Sequence, residues 1–296
     1  MEIAIVFALG TALFLALRDI FARLGMQGID PVLGTAATAF TGLAVLACAA
    51  FVNGDFESTW PGWNQALLTI GLAGILRITV GRTTLFTAIK HIGAARSSSL
   101  GATNVFFAMF LGVFFLGEIL HGVVVIGAIL IVSGCVLVAR SRAQNTAQQS
   151  WQDYTVGMAF ALGSALAMAT SAVLARSVMH DFSSPVGANF YASAIALVSY
   201  LPLIWSRKPR MMFTWSRRTW IFLWLIGLVS AAGTTSGYFA LKYAPVVVVQ
   251  PISQARPLFV LLISWVFLQA YEEVNWKVTV GALAIVCGTG LLILTT

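Results

Sequence analysis

Charge is scarce in this sequence. Only 9% of its 296 residues are Asp, Glu, Lys or Arg, and 59% are apolar, whereas a soluble domain carries about 25% charged residues. That shortage excludes a water-soluble fold. Long polar stretches are lacking as well. Apolar runs, each close to the roughly 20 residues that cross a bilayer core of about 30 Å, fall near 3–25, 32–52, 65–89, 96–116, 122–139, 155–179, 186–205, 219–241, 246–268 and 277–294. The expected fold is an all-α integral membrane protein of ten transmembrane helices, with connecting segments too short for a soluble domain.

Other absences narrow the chemistry. The three cysteines, Cys48, Cys135 and Cys287, each fall inside a predicted span, far apart and without clustered histidines. They fit packing, and no disulfide framework or metal site is expected. His91, His121 and His180 lie at or near span ends, and no span holds paired aspartates. An intramembrane protease or lipid transferase would therefore lack its placed nucleophile and base or its metal cluster. There is no Gly-x4-Gly-Lys-Ser/Thr loop, so no nucleotide drive and no cofactor are expected. Met1-Glu2-Ile3 carries an acid where a cleaved signal would have a basic region, and the first run is read as a span.

The net charge of +7 does not point to nucleic acid, because the basic residues are divided between short loops and helix interiors. Their distribution gives orientation instead. One face holds Lys90, Arg96, Arg140, Arg142, Arg207, Lys208, Arg210, Arg217, Arg218 and Lys277, the other only Arg176 and Lys242. Basic loops stay cytoplasmic, so both termini are expected on the non-cytoplasmic side, as is the acidic loop around Asp55 and Glu57. Trp60, Trp63, Trp205, Trp215 and Trp220 fall near span ends, where an interfacial belt would put them.

The chain repeats itself. Gly10-Thr-Ala-Leu-Phe-Leu-Ala-Leu-Arg-Asp-Ile-Phe-Ala-Arg23 aligns with Gly163-Ser-Ala-Leu-Ala-Met-Ala-Thr-Ser-Ala-Val-Leu-Ala-Arg176, an offset of 153. Ile89-Lys-His-Ile-Gly-Ala94 aligns with Leu241-Lys-Tyr-Ala-Pro-Val246 at 152, and Gly127-Ala-Ile-Leu-Ile-Val-Ser-Gly134 with Gly281-Ala-Leu-Ala-Ile-Val-Cys-Gly288 at 154. Two five-span repeats are expected, over 1–140 and 154–296, joined by a polar cytoplasmic linker at 141–153. An odd number of spans per repeat inverts the second against the first, an arrangement suited to alternating access. Gly127 and Gly134, like Gly281 and Gly288, lie two turns apart and read as a close-packing stripe.

With two such halves, a Lys-Tyr/His-Ala end to each third helix, an acid after each fourth helix (Glu118; Glu272 and Glu273) and a glycine-spaced fifth helix, the chain resembles the EamA group of the drug/metabolite transporter superfamily. The resemblance covers nearly the whole chain. It implies a transporter of a small metabolite in the cell inner membrane, as a monomer or weak homodimer. One departure stands out: the second half has Pro251 in Val249-Gln-Pro-Ile-Ser253, and the first has Ser97-Ser-Ser-Leu-Gly101 instead. A symmetric kink in the two fourth helices is therefore not expected.

An ionisable group at mid-bilayer costs at least about 2.5–3.5 kcal/mol and normally faces an aqueous cavity or a partner. At about 1.5 Å per residue, the deep groups are Arg18 and Asp19 in the first span, Arg77 and Arg82 in the third, Asn104 in the fourth, and Gln250, Gln254 and Arg256 in the ninth. Asn104 and Arg256 are repeat partners. Tyr238, near the middle of the eighth span, can stack on a solute and donate its hydroxyl. Thr83, Thr84, Thr103, Thr234, Thr235, Ser236 and Ser253 fit the usual capping of helix carbonyls; of Phe106 and Phe107, adjacent in sequence, one must face away from any cavity. Four deep arginines against one deep carboxylate leave a surplus of positive charge, and guanidinium forks match carboxylate, sulfonate or phosphate.

The expected function is thus secondary transport, export or exchange, of a small anionic or zwitterionic organic solute. The partners are that solute, the lipid bilayer, and a coupled proton or an exchange solute. Asp19 is the one deep proton carrier available, and arginine beside it makes that task harder. The bland alternative is that Asp19 neutralises Arg23, four residues on, or a neighbouring arginine, and only holds helices together. Lipid scrambling or a role in membrane assembly is the second class of function, an intramembrane enzyme the third.

Overall fold

The computed structural model describes residues 2–25, 29–52, 64–92, 97, 100–141, 151–206, 215–268 and 276–295, and every regular element among them is helical. The elements are α1 (Glu2–Gly25), α2 (Pro31–Val52), α3 (Gln65–Gly74), a π-helix π1 (Ile75–Arg82), α4 (Thr83–Ile92), α5 (Asn104–Leu116), α6 (Gly122–Ser141), α7 (Trp151–Val178), α8 (Pro185–Trp205), α9 (Arg217–Tyr243), α10 (Val246–Ser253), α11 (Arg256–Leu268) and α12 (Trp276–Thr295). Six helical stretches are long and apolar enough to cross a membrane: Glu2–Ala22, Val32–Val52, Gln65–Ile89, Tyr154–Val178, Pro185–Trp205 and Arg217–Tyr243. Shorter apolar helices cover Asn104–Leu116, Gly122–Val138, Val246–Val260 and Val280–Leu294. This is a multi-pass helical membrane protein. The loop at Asp55–Glu57, Trp60, Trp63, Arg96, Arg142, Arg207, Lys208, Arg210, Glu272 and Glu273 lie outside the described residues, as do the side chains of Arg23, Lys90, Arg140 and Lys277.

Helix starts follow capping chemistry, in which a side-chain oxygen takes up an otherwise unpaired N–H of the first turn. Asp30 Oδ1 accepts from Val32 N at 2.9 Å and Leu33 N at 3.2 Å. Asn64 does the same for Leu67 N at 3.1 Å, and Ser216 for Thr219 N at 3.2 Å. Packing then relies on small residues. Along α1, Ala4, Ala8, Ala12 and Ala16 form a stripe at four-residue spacing, each 1% exposed or less, which lets the neighbouring helix approach closely.

The pairings of elements are reciprocal between the halves. α1 packs on α9, α10 and α11, all from the second half; α7 packs mainly on α3, π1, α4 and α5 of the first, with lighter contact to α9 and α10 of its own half. α2 meets α8 and α9, while α8 meets α2, α3 and π1. α5 crosses α10, and α6 lies along α12. At that last seam the glycines meet backbone to backbone, as the stripe at 127, 134, 281 and 288 implies. A Cβ on Gly134 would stand 2.5 Å from Gly281 O, and one on Gly288 would stand 2.7 Å from Gly127 O.

One expectation is overturned. Both fourth helices break, and at matching places: turns at Ala102–Thr103 and at Gln254–Ala255 separate the helical pieces. Thr103 N bonds Leu100 O at 3.1 Å and Phe106 N bonds Thr103 O at 3.0 Å; Ala255 N bonds Ile252 O and Leu258 N bonds Ala255 O, both at 3.0 Å. These are the same three-residue bonds, 152 positions apart. In the second half the break follows from Pro251 and Pro257, which lack an N–H to donate. In the first half a hydroxyl substitutes: Thr103 Oγ1 donates to Leu100 O at 2.6 Å, the kind of back-bond that bends a helix, beside Gly101, a poor helix former.

Candidate functional site

The deep polar residues sort into two groups. The first gathers at the breaks. Arg18 donates from Nε and Nη2 to Asp19 Oδ1 at 3.0 and 2.7 Å, and Arg256 Nε lies 3.4 Å from Asp19 Oδ2. Asp19 therefore bridges a guanidinium on its own helix to one at the start of α11, where the turn at 254–255 re-aims the chain. Their side chains are 23% (Arg18), 38% (Asp19) and 32% (Arg256) exposed, so the trio is partly exposed within an apolar helix set. Beside it Gln254 Nε2 donates to Asn104 Oδ1 at 2.6 Å, joining the two breaks directly. Gln250 is half-buried in α10 and takes part through its backbone, its carbonyl accepting from Gln254 N at 3.2 Å.

The second group is built on π1. In an α-helix of 3.6 residues per turn, residues five apart point about 140° away from each other. The i→i+5 ladder of a π-helix brings them to nearly one face, and so Arg77 and Arg82, five residues apart within π1, line one cleft. Arg77 Nη2 donates to Asn189 Oδ1 at 3.1 Å, and its guanidinium carbon sits 5.2 Å from the Tyr238 ring centroid, within cation–π range. Asn189 is fully buried. Its Nδ2 donates to Thr235 Oγ1 at 2.9 Å, and Ser193 Oγ donates to its Oδ1 at 3.3 Å. Tyr238 thus presents its ring to Arg77, and its buried hydroxyl has no partner among the described residues. Arg82 has neither a hydrogen-bond nor an ion-pair partner there.

The cleft lies between α2, π1, α8 and α9; its polar lining is Thr38, Arg77, Arg82, Asn189, Ser193 and Ser230, with Thr234 beside them. Its cavity volume is about 20 Å³, room for one or two waters. Among the described residues no acidic one lines it. Sequence reasoning missed Asn189, Ser193 and Ser230, since no charge marks them. The available signal was that Asn104 and Asn189 are the two asparagines inside predicted spans, and that Ser193 follows Asn189 by one helical turn.

Other polar residues hold the fold. Thr84, Thr103 and Thr234 donate to backbone carbonyls three or four residues earlier. Phe106 is exposed on the outer face, and Phe107 packs on the core. Glu118 follows left-handed Gly117 (φ 63°) and reaches the second half: Oε1 accepts from Val246 N at 2.8 Å and Oε2 from Val247 N at 3.0 Å, capping α10. Arg176 lies 3.9 Å from the same carboxylate and donates to Leu241 O and Lys242 O.

Comparison with known proteins agrees with this architecture. The profile of the EamA-like transporter family matches the chain twice, over residues 2–140 and 155–294. Among solved structures 29 chains match; one of them, a crystal structure, superposes with a TM-score of 0.78 at 20% identity, covering 98% of this chain and 96% of that one. That likeness concerns the fold. No curated protein matches the sequence.

Proposed function

The chain belongs to the EamA-like transporter family, and from that premise we propose that it is a secondary transporter. It moves a small anionic or zwitterionic organic metabolite across the inner membrane by alternating access. Ten spans form two inverted repeats, over 1–140 and 154–296, joined by a cytoplasmic linker at 141–153, with both termini outside the cytoplasm. The reciprocal packing of α1 and α7, and the matched breaks at 102–103 and 254–255, support that topology.

The observation that carries the reading is the charge balance at the breaks and the cleft. The four deep guanidiniums, Arg18, Arg77, Arg82 and Arg256, are matched by one deep carboxylate, Asp19, among the described residues, and Arg82 has neither a hydrogen-bond nor an ion-pair partner there. Such a surplus attracts an anion and repels a cation. Arg77, Arg82 and Arg256 bind the solute, Asn104, Gln250 and Gln254 line its route at the breaks, Tyr238 holds Arg77 in place, and Arg18 with Asp19 sets the field beside them. Asp19 is committed to two ion pairs, which favours exchange or uniport over proton coupling.

The test is flux in liposomes reconstituted with purified protein and loaded with organic acids, amino acids or amines. Arg77→Ala and Arg256→Ala are expected to abolish flux while still inserting and purifying. Wild-type flux from both variants would remove the site; stabilisation of the protein by amines alone would overturn the charge reading.

A further inference from the structure

Around the cleft between α2, π1, α8 and α9, donors outnumber acceptors. Arg82 brings five N–H groups and no partner among the described residues. Arg77 Nε and Ser230 Oγ are buried without a hydrogen bond. The amide oxygen facing them, Asn189 Oδ1, already accepts from Arg77 Nη2 and Ser193 Oγ. Asp19, which could have supplied a carboxylate, is held by Arg18 and Arg256. Buried donors left unmade are costly, and here they converge on one hollow.

We propose that this cleft seats one carboxylate of the transported solute, and that the solute carries no ammonium group beside that carboxylate. The inference rests on the reading that the chain moves a small organic anion, and it narrows that reading from anionic or zwitterionic to a hydroxy, oxo or dicarboxylic acid. Size decides the first half of the claim. Interior space for one or two waters matches the two oxygens of a carboxylate and not a whole metabolite, so the carboxylate enters and the remaining skeleton stays in the mouth. A planar carboxylate also matches the fork of Arg82, with Arg77 Nε–H and the Ser230 hydroxyl completing its coordination. Charge decides the second half. An α-ammonium would be placed within a few ångströms of two guanidiniums in a poorly screened interior, where like charges repel strongly, and no acid among the described residues lines the cleft to receive it.

The experiment is ligand-dependent melting of the purified full-length protein with matched pairs that differ in one group: lactate against alanine, malate against aspartate, with inorganic phosphate alongside. Lactate and malate should raise the melting temperature, and alanine and aspartate should bind at least about tenfold more weakly, because their ammonium meets the guanidiniums. Arg82→Lys keeps the charge and loses the fork, and should weaken malate about tenfold, more than Arg256→Lys does. Ser230→Ala, a small change expected to fold whatever Arg82→Lys does, should weaken it about threefold through the loss of one hydrogen bond. Alanine bound as tightly as lactate, or phosphate bound while both acids are ignored, would overturn the carboxylate assignment. Malate binding that depends on Arg256 and ignores both Arg82→Lys and Ser230→Ala would overturn the cleft and leave anion transport standing. Silence toward all five compounds, together with no flux of any organic acid, would instead sink the transport reading itself.

Discussion

Two pairs of arginines lie inside this protein, and they are treated oppositely. Arg18 and Arg256 share a resident carboxylate, Asp19, and are partly exposed. Arg77 and Arg82 line a narrow cleft with no acid among its described lining; Arg77 leans on an amide and an aromatic ring, and Arg82 has no hydrogen-bond or ion-pair partner among the described residues. A protein built only for stability would neutralise both pairs. Under the proposed reading, the uncompensated pair is where an outside anion binds, and neutralising the other keeps the total charge within what the interior tolerates.

The sharpest way to break this contrast is to remove a guanidinium from the uncompensated pair. Arg77→Ala should lower organic-acid flux by about 100-fold or more, the equivalent of about 2.8 kcal/mol for a charge-assisted contact; retained flux would show the cleft to be a packing detail. Next in size is Asp19→Asn, which strips the counter-ion from Arg18 and Arg256. A fully buried pair broken in this way costs about 3–5 kcal/mol. These side chains are partly exposed, so about 2 kcal/mol is expected, read as a fall in melting temperature that added sulfate partly restores. Binding of malate should survive in the same variant, since the cleft is untouched, and its loss would merge the two pairs into one site.

A smaller effect should come from Glu118→Gln, outside both pairs. The amide still reaches Val246 N and Val247 N but lacks the charge favoured at a helix start, a loss of about 1 kcal/mol in chemical denaturation with binding of organic acids unchanged. The smallest belongs to Tyr238→Phe. It deletes an unpartnered hydroxyl and keeps the ring under Arg77, so stability should stay within about 0.5 kcal/mol; a large loss of flux would place that hydroxyl on the solute path.

Much of the fold was legible because hydrocarbon imposes simple demands. Apolar length marked the helices, and the repeats at offsets of 152–154 marked which helix answers which. The glycine seam was legible for the same reason, as spacing of two turns has one steric meaning. Three features were not. The π-helix at Ile75–Arg82 has no composition signal, since nothing in Ile75-Leu-Arg-Ile-Thr-Val-Gly-Arg82 distinguishes an i→i+5 ladder from an i→i+4 one. An α-helical period would have separated Arg77 from Arg82. The break at Ala102–Thr103 was hidden by the lack of a proline, its work done by a glycine and a hydroxyl bond that look ordinary in sequence. Asn189 escaped because depth was searched for charge, whereas a neutral amide holds Arg77 through geometry alone.

The contact of α6 with α12 has a mechanical consequence. Where backbone closes on backbone, as Gly134 does on Gly281 and Gly127 on Gly288, with Ile285 and Leu292 seated against the same glycines, the interlock leaves little clearance for a lengthwise slip. Under the proposed alternating access, both helices should move together as a single strut. A bulky residue set at Gly134 would wedge the strut open and should jam motion at a distance from every charged residue.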